Sequence, residues 1–243
     1  MSEKKEKPNY GGAGWHIVTN LATGLLLFFL GIYEGMYYHL GGYLLSVFSP
    51  YFIYNAGRWA RGNILEERLR IRNELINLVQ PRENDKILDV GTGGGLLAIG
   101  FAKRAKCKAV GIDIWLPFGG GTSMDTAEKN ARIEGVNKFV TFKKADARNI
   151  PFPDEYFDVV VASFVIHMIK KDRIKALQEM IRVLKPKGKF AIIEPPRGIG
   201  GWVVDEKLKE VLKTMGLTDI KFQPLPVSYP KKRNVYIIYG KKT

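Results

Sequence analysis

Cysteine is almost missing from this chain: Cys107 is the single one in 243 residues. One thiol closes no disulfide and builds no cysteine metal cluster, which suits a reducing interior. Histidine is scarce too, at three residues. No His, Asp or Glu grouping has metal-ligand spacing, so no metal is expected. Charge is absent from one long stretch, for between Trp15 and Ala56 the only Lys, Arg, Asp or Glu is Glu34. No glycine loop ends in Gly-Lys-Ser/Thr, which excludes a Walker phosphate loop. Acidic residues are outnumbered, 24 against 38 Lys and Arg. The resulting net charge of +14 implies an anionic partner, either nucleic acid or an acidic membrane surface. The length allows one α/β domain with a further segment to spare.

The most informative stretch that is present runs from Lys86 to Leu97, KILDVGTGGGLL. It reads as a short buried strand, a glycine turn and the start of a helix. Gly91, Gly93, Gly94 and Gly95 let the backbone turn sharply and approach a ligand. The helix beginning near Gly95 points free N–H groups at it. A dinucleotide fingerprint would need a third spaced glycine where Leu96 stands. Asp89, inside the strand, suits a cationic or amino-bearing ligand better than a pyrophosphate.

An ordered series follows. Ala109 to Asp113 reads as a second strand ending in an acid, placed about twenty residues on to accept ribose hydroxyls. Lys143-Lys144-Ala145-Asp146-Ala147 ends a third strand in another acid, and Phe157 to Ser163 is a fourth. Leu184 to Glu194 is a helix end, a turn and a fifth strand. Leu217–Phe222 and Val235–Gly240 are the last two. Between them lie helical segments at Leu96–Ala105, Thr122–Glu134 and Lys207–Thr214, and one carrying Ile174, Leu177, Ile181 and Leu184 with Asp172 as its cap. Strand and helix in alternation indicate a parallel sheet covered on both faces.

This series resembles the class I S-adenosylmethionine-dependent methyltransferases, in particular the small-molecule type 11 group and its membrane-anchored members. The resemblance covers roughly Asn63 to Lys242. It implies an α/β fold with a seven-stranded Rossmann-like sheet, helices on both faces, and an antiparallel pair at the end. It implies S-adenosylmethionine as cofactor. Asp89 would support the glycine turn and the cofactor's amino group, with Gly91, Thr92 and Gly93 along the ribose and methionine parts. Asp113 would take the ribose hydroxyls, Ile114 and Trp115 would flank the adenine, and Asp146 with the Ala147 N–H would bind its edge. Ser163 completes the cofactor-binding set. The methyl acceptor would enter beyond Ser163-Phe164-Val165-Ile166-His167-Met168. His167 is the candidate general base, and Glu194 is the second candidate catalytic residue, either to hold a cationic amine or to deprotonate a hydroxyl. The competing readings are a structural histidine and a loop-anchoring glutamate. The chain departs from the family after Asp113, where Trp115 to Thr122 lengthens a loop. It also lacks the Asn/Asp-Pro-Pro-Tyr/Phe of amino-group methylation on nucleobases.

The N-terminal third is organised differently. Residues 1–14 read as a disordered basic segment and residues 15–57 as an apolar helical hairpin attached to a membrane. Residues 58–81 read as a connecting amphipathic helix with Arg68, Arg70 and Arg72 facing water or headgroups, and 82–243 as the methyltransferase domain. Ile17 to Tyr33 nearly suffices to cross a bilayer. Basic residues flank both ends, which places both ends and the catalytic domain on the cytoplasmic side. A cleaved leader, two buried helices of a soluble domain, or a re-entrant hairpin are the alternatives. The leading functional expectation is methyl transfer to a small lipophilic or membrane-resident acceptor, quinone-like or a lipid headgroup. An RNA or protein-lysine methyltransferase, and a cofactor-binding membrane scaffold without turnover, are the rivals.

Overall fold

The computed structural model describes residues 6–11, 14–61, 64–116, 122–228 and 232–243. Three helices come first: α1 (Gly14–Tyr37), α2 (Tyr43–Arg61) and α3 (Ile64–Val79). The sheet-forming part then runs β1 (Lys86–Val90), α4 (Leu96–Ala105), β2 (Lys108–Asp113), α5 (Met124–Ile133), β3 (Val140–Lys144), β4 (Phe157–Ser163), α6 (Arg173–Arg182), β5 (Leu184–Glu194), α7 (Glu206–Thr214), β6 (Leu217–Val227) and β7 (Arg233–Lys242).

The strands form a seven-stranded sheet in the order β3-β2-β1-β4-β5-β7-β6. β1 pairs in parallel with both β2 and β4, while β7 runs antiparallel between β5 and β6. The central strands are apolar on both faces, as covered parallel strands must be. Along β1, Ile87 joins the cluster under α3 and α4. Leu88 and Val90 join the opposite cluster under α6 and α7. Pro224 and Pro226 stand in β6, which is tolerable because β6 is the sheet's edge. The strand expected over Leu217–Phe222 therefore runs on to Val227.

Several local expectations need correction. Residues 6–11 are docked against the domain, with Tyr10 only 3% exposed, and not loose as expected of residues 1–14. α2 runs through Pro50 to Arg61, so the two-helix unit reaches past residue 57. Asp172 sits at φ 60° and makes no side-chain cap to α6. The buried stripe of α6 is Ala176, Leu177, Met180 and Ile181, while Ile174 is half-exposed.

α1 and α2 lie side by side in opposite directions. A Cβ on Gly24 would touch Ile53, and one on Gly31 would touch Ser46. The Ser46 hydroxyl donates to the Phe28 carbonyl at 3.3 Å. Small residues at such a seam let helices approach closely. The outer surface is strongly apolar and exposed, with Leu26, Phe29, Leu44, Val47 and Phe48 uncovered. Among the described residues, one helical stretch, Ile17–Tyr37, is long and apolar enough to cross a membrane.

Candidate active site

The turn after β1 is held from three sides. The N–H groups of Gly91 and Thr92 both donate to the Ile112 carbonyl, at 2.8 and 3.0 Å. Gly91 has φ +70°, and a Cβ there would stand 2.2 Å from a Val165 methyl. Only glycine fits both the conformation and the space. Gly95 caps α4 with no side-chain bond of its own. Asp89 points beneath the turn. Its Oδ2 accepts from the Thr92 hydroxyl at 2.6 Å and from the Ala98 N–H at 3.1 Å. The carboxyl is 1% exposed, and burial pushes its pKa up to about 7 against the pull of those two bonds.

At the end of β2, Asp113 completes the cradle. Its Oδ2 accepts from the Gly93 N–H at 2.9 Å and its Oδ1 from the Trp115 N–H at 2.8 Å. Trp115 adopts φ 42°, and its indole N–H donates to the Gly93 carbonyl at 3.0 Å. One residue pair thus ties both the N–H and the C=O of Gly93. Ile114, beside them, is 40% exposed. The expected loop extension lies mostly at 117–121, outside the described residues.

The next candidates sit farther round the edge. Asp146 is clamped by Arg148, whose guanidinium reaches it at 2.6 Å and whose N–H donates at 2.8 Å. That partner holds the Asp146 carboxyl below its ordinary range. The carboxylate expected at the adenine edge is therefore already paired. Ala147 packs half-buried against the lower core cluster. Ser163 closes β4 opposite Ile193 of β5.

That register explains the most specific contact in the site. Glu194 follows Ile193, so it stands next to the turn that leaves β4. It is 0% exposed. Its Oε1 accepts from the N–H groups of Val165 and Ile166, at 3.0 and 2.8 Å. Its Oε2 accepts from the His167 N–H at 3.3 Å and meets His167 Nδ1 at 2.6 Å. Glu194 is accordingly enclosed as the anchor of this segment and is not open to an acceptor, contrary to one expectation for it. The His167 side chain remains 16% exposed. With three backbone N–H groups aimed at Glu194, the carboxylate acts as acceptor. Nδ1 then donates to it, and in the neutral imidazole the lone pair falls on Nε2.

Three contributors escaped the sequence reading. Asn130 of α5, 1% exposed, donates to the Gly94 carbonyl at 2.8 Å. Tyr10 lies against Gly94 and its hydroxyl donates to Glu134 at 2.9 Å. Arg68 donates to the Gly11 carbonyl at 2.7 Å, and burial lowers its pKa; it is half-buried and turned to this segment. The available signal was Asn130 itself, a polar residue on the same helix face as Ala127 and Ala131.

The sheet order, the left-handed glycine turn at the head of α4 and the acid closing β2 make a Rossmann-like fold of the kind that class I S-adenosylmethionine-dependent methyltransferases have. Their donors and acceptors fit a ligand with amino, carboxylate and ribose ends. Residues 88–192 match the family model described as a methyltransferase domain. Demethylmenaquinone methyltransferase of Thermus thermophilus is 35% identical over 152 residues, 61% of this chain and 66% of that one. The ubiquinone/menaquinone biosynthesis C-methyltransferase UbiE of Chromobacterium violaceum is 39% identical over 114 residues, 46% of this chain and 44% of its own. The chain thus spans roughly half to two thirds of the length of these curated relatives. Among solved structures, the [4+2]-cyclase SpnF aligns at TM-score 0.63 and 19% identity, over 75% of this chain and 84% of that one. A geranyl diphosphate methyltransferase in complex with S-adenosylmethionine aligns at 0.59 and 12%, over 79% and 88%. These two show the fold alone.

Proposed function

We propose that this chain is a membrane-attached methyltransferase acting on a quinone-like, lipophilic acceptor. The observation that carries the reading is the bond from Arg68 to the Gly11 carbonyl. The chain leaves the domain after Gly11, passes through α1 and α2, and is back at α3 within one hydrogen bond. Both ends of the apolar unit therefore meet the domain beside the glycine turn, where Tyr10 touches Gly94. A hairpin inserted into a bilayer from this point would hold the cofactor edge at the membrane surface. An acceptor dissolved in the bilayer would reach His167 without crossing water. Lys4, Lys5 and Lys7 on one flank and Arg58 and Arg61 on the other favour the cytoplasmic side. The identity to quinone-pathway C-methyltransferases supports the acceptor class.

S-adenosylmethionine, when bound, supplies an activated methyl group. Asp113 and the glycine turn would hold it, and Asp89 holds the turn. For a phenolic ring, His167 Nε2 takes the hydroxyl proton, which makes the ring carbon nucleophilic. Glu194 keeps the imidazole in the tautomer that can do so and steadies the imidazolium that forms. Attack of the ring carbon on the methyl group would break the methyl–sulfur bond with S-adenosylhomocysteine as leaving group; the ring proton then goes to solvent, the imidazolium returns its proton to the oxygen, and aromaticity is restored.

A second reading has its own observation. At the opposite edge of the sheet, a cleft is lined by Arg82, Lys185, Lys187, Lys189, Lys241 and Lys242. Such a basic surface suits RNA. Radiolabelled S-adenosylmethionine given to the full chain with cell fractions separates the two. Label in the organic extract, absent with Asp113→Ala, supports the quinone-like acceptor. Label confined to RNA or protein overturns it.

A further inference from the structure

The segment ahead of α1 is built into the cofactor cradle. Asn130 works there as a substitute strand. Its Oδ1 accepts the Asn9 N–H at 2.7 Å and its Nδ2 donates to the Asn9 carbonyl at 2.7 Å. The same Nδ2 donates to the Gly94 carbonyl at 2.8 Å. One buried side chain therefore joins residue 9 to the glycine turn and uses both of its amide hydrogens. Tyr10 extends the contact. It is buried among Ile71, Leu75 and the α4 residues, and its hydroxyl bonds Glu134, which also pairs with Lys103. Burial and Glu134 push the Tyr10 pKa up, so the hydroxyl stays a donor. Glu6 pairs with Lys129 at 2.5 Å, and Arg68 holds Gly11.

The fit at Gly94 is close. A Cβ there would lie 3.0 Å from Tyr10 Cα and 3.1 Å from the Asn9 carbonyl oxygen. Gly94 is not among the glycines with positive φ. Its backbone would accept alanine, and the obstacle to one is the overlying segment.

We propose that residues 6–11 are a strap across the glycine turn, and that Asn130 is the positioning residue that fastens it, so that strap closure and S-adenosylmethionine binding favour each other. The physical basis is linkage. A turn held by the strap has its ligand-facing N–H groups already arranged, and a ligand that needs that arrangement stabilises the strap in return. Because α1 begins three residues beyond Gly11, whatever fixes α1 also restrains the strap.

The test uses the full chain with S-adenosylhomocysteine as probe. Binding is measured by calorimetry, and strap opening by chymotryptic cleavage after Tyr10, read by mass spectrometry. In the native chain the probe should slow this cleavage several-fold. Asn130→Ala, which removes three hydrogen bonds, and Gly94→Ala, which pushes the segment away, should each weaken binding about tenfold, the size of a net hydrogen-bond contribution, and should speed the cleavage. Asn9→Pro removes the N–H that Asn130 accepts without altering the domain, and serves where Asn130→Ala fails to fold. Combined with Asn130→Ala, it should add little, since both break one contact. Unchanged affinity in Gly94→Ala and Asn9→Pro, or cleavage indifferent to the probe, overturns the inference alone. A native chain that binds no probe overturns the cofactor assignment and the inference with it.

Discussion

Glu194 Oε2 lies 2.6 Å from His167 Nδ1, and the carboxylate is wholly buried behind the imidazole. The two residues separate by substitution. His167→Asn should lower kcat by about 10²- to 10⁴-fold, the usual worth of a general base, with little change in melting temperature or cofactor affinity. Glu194→Gln should lower kcat as well, and also stability. Its single amide oxygen cannot serve the Val165, Ile166 and His167 N–H groups together, and each buried donor left unpaired costs about 1–3 kcal/mol. Steady-state kinetics beside thermal melts check both. A His167→Asn enzyme with native kcat would reduce the histidine to a structural part.

The Gly93 peptide is held at both ends, its N–H by Asp113 and its C=O by the Trp115 indole. Asp113→Ala should weaken cofactor binding by about 100-fold, because charge-assisted bonds of about 1.5–3 kcal/mol are lost. Trp115→Phe keeps an aromatic ring and loses only the indole donor, so the loss should be about three- to tenfold. Calorimetry with S-adenosylhomocysteine measures both. Equal losses in the two variants would contradict this division of roles.

Asp89 gives a pH signature. Its folded pKa is raised to about 7 from the ordinary 3.8, chiefly by burial. A raised carboxyl pKa means that the folded state holds the proton more tightly. The contribution is therefore fully present below about pH 4 and is lost as pH rises through about 7. Its ceiling is about 4 kcal/mol, at 1.36 kcal/mol per unit. Asp89→Asn cannot titrate and can still accept from Thr92 and Ala98. Denaturant melts from pH 4 to 8 should show the native chain losing stability relative to Asp89→Asn across that window. A constant difference would show that Asp89 does not titrate there.

What the sequence made legible depended on how local the physics is. The glycine turn, its preceding strand and the acid that closes β2 are short-range features with strong residue preferences, and the sheet places them where the pattern put them. The pairing of Asp146 was not foreseen, although its partner Arg148 stands only two residues on and reaches back to it. The Glu194–His167 pairing depends on the β4–β5 register, which sets Ser163 opposite Ile193. No pattern within either segment contains it. The strap is farther still from view, since Asn9 and Asn130 stand 121 residues apart. A polar N-terminal run with a few lysines looks the same whether it is loose or fastened by one buried asparagine.

Under the membrane-attached reading, the apolar unit would decide where the chemistry takes place. On α1, Leu26 and Phe29 are 64% and 65% exposed, a surface that bilayer insertion would cover. A lysine near the middle of a spanning helix costs about 2.5–3.5 kcal/mol, so Leu26→Lys with Phe29→Lys should move the chain out of the carbonate-resistant membrane fraction. Neither residue is among those that form the site, and cofactor affinity should stay within about twofold, since substitutions distant from a site change it little. Activity should then divide by substrate. A short-chain, water-soluble quinol should be methylated at close to the native rate, while a long-chain acceptor in vesicles should lose most of its turnover. Equal loss on both acceptors would mean that α1 supports the domain's fold. Equal retention on both would mean that the acceptor does not arrive through the bilayer.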